Sequence, residues 1–336
     1  MCPLPGKTKH HLAANGENNM PHAVMLDAES LGPHIDLTPI REAVDHLETY
    51  QQSTPEQARE RLKNADIAIV NKVTLDADTL SQLPSLRLIC VLATGLNNID
   101  LDAAKAHGIV VKNVSAYGTA SVSQHTLMLM LSLANRLPRY QADIAAGEWQ
   151  KSDFFCLQNH PTLQLAGKQL VMVGSGELGS EVARLAEAFG MQVTFAARPG
   201  NEAADKRPAL DDLLPHADVI SLHCPLNDDT RHLINQARLA KAKPSLLLVN
   251  CARGGIIDEE AALEALRKGA LGGLAVDVLP AEPPRQGHAL LDALAAGEPL
   301  NLIVTPHNAW ITPEARQNIV LLTAKNITDW QAEQTA

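Results

Sequence analysis

The sequence predicts a parallel α/β protein built as two units, and three observations carry that reading. Short β-rich runs alternate with stretches of helical spacing almost throughout the 336 residues, the pattern of strands joined by crossover helices. The runs of the second half are nearly continuous in apolar residues, as strands are when helices cover both faces of their sheet. A glycine-rich turn opens that second series, between one strand and one helix.

Taken in order, "HAVML", "HLETY", "DIAIV", "RLICV" and "GIVVK" read as the strands of the first third. Between the second and third, "TPEQARERLKNA" begins with Thr-Pro, a helix-start pair, and continues at helical spacing. The stretch "TASVSQHTLMLMLSLANRLPRYQADIAAGEW" (119–149) reads as a long apolar helix broken near Pro138, buried on several sides. From 168 the second series follows: "KQLVMV", "QVTFA", "DVISL", "LLLVN", "GGLAV" and "NLIVT". Two such series in one chain imply two domains with a cleft between them.

Composition narrows the function. A net charge of -10 argues against a nucleic-acid surface, which is normally basic. No apolar run reaches the eighteen or so residues that span a bilayer. The five cysteines (Cys2, Cys90, Cys156, Cys224 and Cys251) are odd in number and scattered, which suits a reducing cytoplasm. The thirteen histidines show no two-ligand helix motif, so no metal site is expected. Residues 1–19 are polar and unpatterned, without the features of a signal or transit peptide, and are expected to form a disordered leader.

"LVMVGSGELG" sets Gly174, Gly176 and Gly179 directly after a strand, and Leu178, Val182, Leu185 and Phe189 follow at helical spacing. The first glycine permits a tight turn, the second lets a pyrophosphate approach the backbone, and the third packs helix on strand. The helix N-terminus then offers N–H groups and a positive dipole end to phosphates. The acid expected some twenty residues on, to bind the adenosine ribose, is replaced by Ala197 and Arg198. Arg198 can pair with a 2′-phosphate bidentately, so NADP(H) is expected to be tolerated or preferred. If Arg198 is solvated or stacks on adenine, NAD(H) serves instead.

Three later segments leave strands with charged residues: "LLLVNCARGG" with Arg253, "GGLAVDVLPAEPP" with Asp277 and Glu282, and "NLIVTPHNAWITPEAR" with His307. Ligands of open α/β sheets lie beyond the carboxyl ends of the strands, so all three segments point to one crevice. An arginine can hold the carboxylate of a 2-oxo acid and polarise its ketone. A histidine can protonate the developing alkoxide, and a neighbouring carboxylate favours the imidazolium form. Singly, each residue has a bland explanation: a helix cap, a solvated acid, a packing histidine. Three at strand ends behind a dinucleotide motif favour catalysis.

With these motifs in place, the sequence resembles the D-isomer-specific 2-hydroxyacid dehydrogenase family from about residue 22 to 325. "VLATGLNNID", "GTASVSQHTL", "VGSGELG", "SLHCPLNDDTRHLIN", "VNCARGGIIDEEAAL", "AVDVLPAEPP" and "TPHNAW" stand in family order. "NKV", "YGTAS", "FAARPG" and "PHNAW" look most like the glycerate dehydrogenase (hydroxypyruvate reductase) branch. The resemblance implies that Arg253 binds substrate, Glu282 supports the histidine and His307 donates the proton. It implies backbone N–H groups from Thr94 and Gly95 for the substrate carboxylate. Glu177 and Leu178 would meet the pyrophosphate, while Val122, Pro225, Cys251, Ala252 and Asp277 would line the nicotinamide side. Trp310 would narrow the substrate pocket or form a wall without selectivity. Lys72 would reach a substrate oxygen or stand as an exposed lysine. The sequence departs from the family at Ala197 and at Gln124, where an acid is frequent.

The resemblance also implies a topology. A Rossmann-type, doubly wound parallel cofactor domain would occupy 117–305. A discontinuous, flavodoxin-like substrate domain would comprise 20–116 and 306–336. Closure of the two over substrate would exclude water. Relatives are usually homodimers, with the 119–149 helix and Trp149 in the interface. The function implied is reduction of hydroxypyruvate, and of glyoxylate, to the D-2-hydroxy acid with a nicotinamide cofactor. Another 2-oxo acid is the alternative within the family, and a dinucleotide-sensing, corepressor-like binding protein is the alternative outside enzymes. The acidic balance and the "NKV" and "TPHNAW" segments favour the enzyme.

Overall fold

The computed structural model describes residues 21–335; the expected leader lies outside them. The chain divides into two units, residues 1–114 with 319–336, and residues 115–318. The divisions fall at 114/115 and inside the last helix, Pro313–Thr335. The second division lies after residue 318 rather than at 305, so the segment with His307 groups with the second sheet. Hydrogen bonds explain this. Asn308 and Ala309 donate their N–H groups to Asp277 at 3.0 Å each, and Ser121 Oγ donates to the Ala309 carbonyl at 2.5 Å.

The first unit is a five-stranded parallel sheet of β1 (His22–Met25), β2 (His46–Thr49), β3 (Ile67–Val70), β4 (Leu88–Val91) and β5 (Val110–Asn113), in the order β2-β1-β3-β4-β5. Its strands alternate: Val24, Ala68, Val70, Ile89 and Val91 join one buried cluster, while Ala23, Met25, Ile67 and Ile69 are buried outside that cluster. The helix Pro55–Leu62 starts at a capping box, with Thr54 and Gln57 exchanging side-chain and backbone bonds.

The second unit is a six-stranded parallel sheet: β6 (Gln169–Val173), β7 (Gln192–Phe195), β8 (Val219–Leu222), β9 (Leu247–Asn250), β10 (Gly273–Val276) and β11 (Leu302–Val304). Its order is β11-β10-β9-β8-β6-β7. Val171 and Val173 enter one buried cluster, Leu170 and Met172 the other, so a single apolar run serves two cores. The helix Thr119–Ala134 packs on the second of these cores through Leu127, Met130 and Leu133.

That helix ends earlier than Pro138. Arg136 adopts a left-handed conformation (φ 54°), and a new helix, Leu137–Ala145, takes Pro138 into its first turn. Proline is tolerated there because first-turn N–H groups have no partner inside the helix. Among the described residues no helix is long and apolar enough to cross a membrane.

Candidate functional site

The glycine turn after β6 behaves as its spacing demands. Gly174 has φ 109°, open to glycine and strained for other residues, and a Cβ there would meet the His223 carbonyl oxygen at 2.5 Å. A Cβ on Gly179 would collide with the Gly174 carbonyl oxygen, which is why the helix Glu177–Ala188 can lie so close to the turn. Gly176 faces open space. No side chain caps this helix, so its first N–H groups are available to an anion. A dinucleotide pyrophosphate fits this cradle. Glu177 starts the helix, and its Oε1 accepts a 2.7 Å bond from Thr119 Oγ1. Leu178 is half-buried.

Beyond β7, Ala197 is buried and Arg198 exposed. An acid seven residues on stands beside this position. Asp205 Oδ2 accepts the Arg198 N–H at 2.8 Å, and Asp205 is paired with Arg207 at 2.5 Å. Bonds from the Arg207 side chain, its N–H and the Arg198 N–H hold the Asp205 carboxyl far below the usual carboxylate range. Arg207 also donates from Nη1 to Ser175 Oγ, inside the glycine turn, at 2.8 Å. Neither Asp205 nor Arg207 was singled out by sequence reasoning, because the segment between them and Arg198 has no fixed spacing to read.

Arg253, Glu282 and His307 leave β9, β10 and β11, which are neighbours in the sheet, so their turns stand side by side. Glu282 and His307 meet directly: Nδ1 lies 2.6 Å from Oε2, and both side chains are half-buried. The other carboxylate oxygen accepts the Leu279 N–H at 2.7 Å. A carboxylate only accepts, so Nδ1 carries its proton toward Glu282 and Nε2 is left for chemistry. Among the described residues no group hydrogen-bonds Nε2.

His307 itself is left-handed (φ 52°), a conformation costing about 1–3 kcal/mol for a residue with a Cβ. Asp277 supplies the restraint. It is buried, and its Oδ1 accepts from Thr305 Oγ1 (2.5 Å) and the Asn308 N–H, while Oδ2 accepts the Ala309 N–H. Its carboxylate therefore organises the histidine turn. His125 completes the arrangement, with Nε2 3.1 Å from Thr305 Oγ1; burial pushes its pKa down, against the pull of Asp277.

The Arg253 turn abuts the Glu282 turn through backbone, since a Cβ on Gly254 would collide with Leu279 and Pro280. Asn250, fully buried, fastens it by donating to the Arg253 carbonyl (2.8 Å) and accepting the Ala252 N–H (3.0 Å). The exposed Arg253 guanidinium donates to the Ala252 carbonyl at 2.7 Å. Trp310 donates from Nε1 to the His307 carbonyl and stands edge-on to Tyr117, ring centroids 6.3 Å apart. Burial raises the Tyr117 hydroxyl pKa, and the charge of Arg253 opposes that rise.

The remaining expected positions are placed as follows. Val122 is half-buried on the helix Thr119–Ala134, Pro225 is exposed after β8, and Cys251 and Ala252 are half-buried after β9. Burial pushes the Cys251 thiol up to about 12, so it is no nucleophile. Asn308 Oδ1, beside the histidine, is buried with no partner among the described residues. In the first unit Thr94 is exposed and Gly95 half-buried in the turn after β4. Lys72 is exposed after β3, its N–H donated to Asp27 at 2.6 Å.

A sequence model of the D-isomer specific 2-hydroxyacid dehydrogenase NAD-binding domain matches residues 127–309. The chain is 43% identical over 298 residues to a glycerate dehydrogenase of Methylorubrum extorquens, covering 88% of this chain and 91% of that one. It is 31% identical over 315 residues to a hydroxypyruvate reductase of Blautia hydrogenotrophica, covering 91% and 96%. Among solved structures it superposes on the D-lactate dehydrogenase of Escherichia coli with a TM-score of 0.74 and 27% identity, over 93% and 96% of the two chains.

Proposed function

We propose a substrate and a cofactor form from an established premise: the chain belongs to the D-isomer specific 2-hydroxyacid dehydrogenase family. The substrate proposed is hydroxypyruvate, with glyoxylate as a smaller alternative, reduced to the D-2-hydroxy acid. The observation that carries it is the Glu282–His307 pair at 2.6 Å on a turn held left-handed by Asp277. The named activities of the Methylorubrum and Blautia relatives support the choice of 2-oxo acid.

A bound nicotinamide supplies the hydride. As an imidazolium, His307 delivers its Nε2 proton to the substrate oxygen as charge grows there, and Glu282, accepting from Nδ1–H, favours that charged form, fixes the ring orientation and holds the neutral Nδ1–H ring left behind. Arg253 holds the carboxylate and withdraws charge from the ketone. Trp310, fixed by the His307 carbonyl and Tyr117, bounds the room left for a substrate side chain.

For the cofactor we propose a preference for NADPH, with Arg198 taking the 2′-phosphate beside Arg207. Asp205 favours the second reading, NADH, because its carboxylate lies at the Arg198 N–H. One experiment tests both proposals: loss of reduced-nicotinamide absorbance with hydroxypyruvate, glyoxylate and pyruvate, each with NADPH and NADH. The expected ranking by kcat/KM puts hydroxypyruvate first and NADPH over NADH. No turnover of the first two acids overturns the substrate; a strong NADH preference overturns the cofactor form.

We also propose a homodimer formed through the 119–155 segment. Trp149, Phe154 and Phe155 are 53%, 77% and 91% exposed there, more apolar surface than a lone subunit usually presents. Sedimentation of Phe155→Asp is expected to shift toward monomer; a wild-type chain that sediments as a monomer contradicts the proposal.

A further inference from the structure

We propose that His22, His46 and Glu48 form a binding site for a divalent ion of the zinc class, on the first unit and apart from the machinery above. β1 and β2 run parallel with His22 opposite His46, so both imidazoles project from the same face of the sheet. Glu48, two residues along β2, projects from that face too. One donor atom from each of the three lies within 4.8 Å of the other two. Glu48 Oε1 is 3.1 Å from His22 Nε2 and 3.7 Å from His46 Nε2. A tetrahedral zinc site with bonds of about 2.0–2.1 Å separates its ligand atoms by roughly 3.3 Å. The three donors therefore stand near ligand spacing already.

The surroundings are those of a ligand set. His22 Nε2 donates to Glu48 Oε1 at 3.1 Å, and a bound ion would replace that proton, while Nδ1, 3.4 Å from the Asn64 carbonyl, can keep its own proton toward that oxygen. Metal-bound histidines are commonly oriented by such a carbonyl, and metal-bound carboxylates are themselves hydrogen-bonded. Glu48 meets the second condition, since Tyr50 donates its hydroxyl to Oε2 at 2.8 Å and leaves Oε1 to face the two rings. Arg61 lies over the Tyr50 ring at 3.9 Å, and Asp66 accepts the His22 backbone N–H at 3.0 Å.

Two imidazoles and one carboxylate suit zinc and its neighbours rather than calcium or magnesium, which prefer oxygen alone. Three protein ligands leave a position for water. The His46 side chain is 66% exposed, so an ion can enter from solvent. The site lies at the N-terminal ends of β1 and β2, whereas Asp27, Lys72 and Thr94 lie beyond strand C-termini. β2 is an edge strand, and a bound ion would fasten it to β1.

The test is titration of the full chain with Zn2+ at neutral pH against a chromophoric chelator, for wild type, His46→Ala and Glu48→Gln. One equivalent is expected to bind wild type, at least tenfold more weakly in each variant, and to raise the Tm of wild type only. Cofactor affinity and the metal-free Tm of the exposed-site variant His46→Ala are expected to match wild type, which separates loss of ligands from loss of fold. Zinc binding unchanged in His46→Ala, or absent from wild type, overturns the proposal.

Discussion

The two sheets order their first five strands identically, β2-β1-β3-β4-β5 and β7-β6-β8-β9-β10 in corresponding positions, yet the turns at their switch points differ in chemistry. After β6 the turn is glycine, Gly176 faces open space, and the N–H groups beyond it await an anion. After β1 the corresponding position carries its own anion. Asp27, buried, accepts N–H groups of Asn71, Lys72 and Val73 from the turn after β3, at 2.6–3.2 Å. In the first unit a carboxylate already engages the backbone N–H groups at the switch point, whereas in the second the helix N–H groups are left to a ligand. Topology decides where the switch point lies, and one residue decides whether a ligand can use it.

The contrast can be broken at either end. The largest effect is expected from His307→Ala, which removes the proton donor proposed for the open unit. Its kcat should fall about 10²–10⁴-fold while the dissociation constant for reduced cofactor, measured by fluorescence, stays put. Near-normal turnover would remove His307 from the chemistry.

Asp27→Ala should act on the sealed unit alone. It leaves three N–H groups without their acceptor and is expected to cost about 3 kcal/mol in urea unfolding, again with cofactor affinity intact. A loss below about 0.5 kcal/mol, the usual range of surface changes, would mean that the carboxylate is not what closes that turn.

A pH effect should mark the open unit. His223 lies under the Gly174 turn, and burial pushes its pKa down to about 4 from 6.5. It is neutral in the folded chain while the unfolded chain takes up a proton, so its stability contribution is full above pH 6.5. That contribution declines as pH falls toward 4, by no more than about 3 kcal/mol. In His223→Gln this part of the acid slope should vanish from Tm-against-pH curves; an unchanged slope assigns it elsewhere.

The smallest effects separate two glycines. Gly179→Ala drives a Cβ into the Gly174 carbonyl and should cost about 1–3 kcal/mol of stability. Gly176→Ala meets nothing in the protein and should leave Tm within a degree or so while weakening cofactor binding. Equal effects on Tm would show that the two positions are not distinguished as described.

Strands were legible because their signal is local: alternate residues of "QLVMV" enter opposite cores, and each quoted run became a strand. The glycine turn and the strand-end residues were legible for the same reason. What could not be read depends on partners far along the chain. Asp27 seals a turn 44 residues away, and His22 faces His46 only once β1 and β2 are in register. Asp205 reaches Arg198 through an irregular loop, and the helix break falls at Arg136 because Pro138 fits comfortably in a first turn. The boundary after 318 reflects the hold of Asp277 on the histidine turn, a tertiary bond with no trace in local pattern.

The central claim is that the open unit delivers hydride to the 2-oxo carbon and a proton from His307 to its oxygen. Reduction of hydroxypyruvate with cofactor dideuterated at C4, followed by mass and chiral analysis of the product, reads the hydride transfer itself. The account predicts D-glycerate with one deuterium on C2; unlabelled product, or the L isomer, would contradict it.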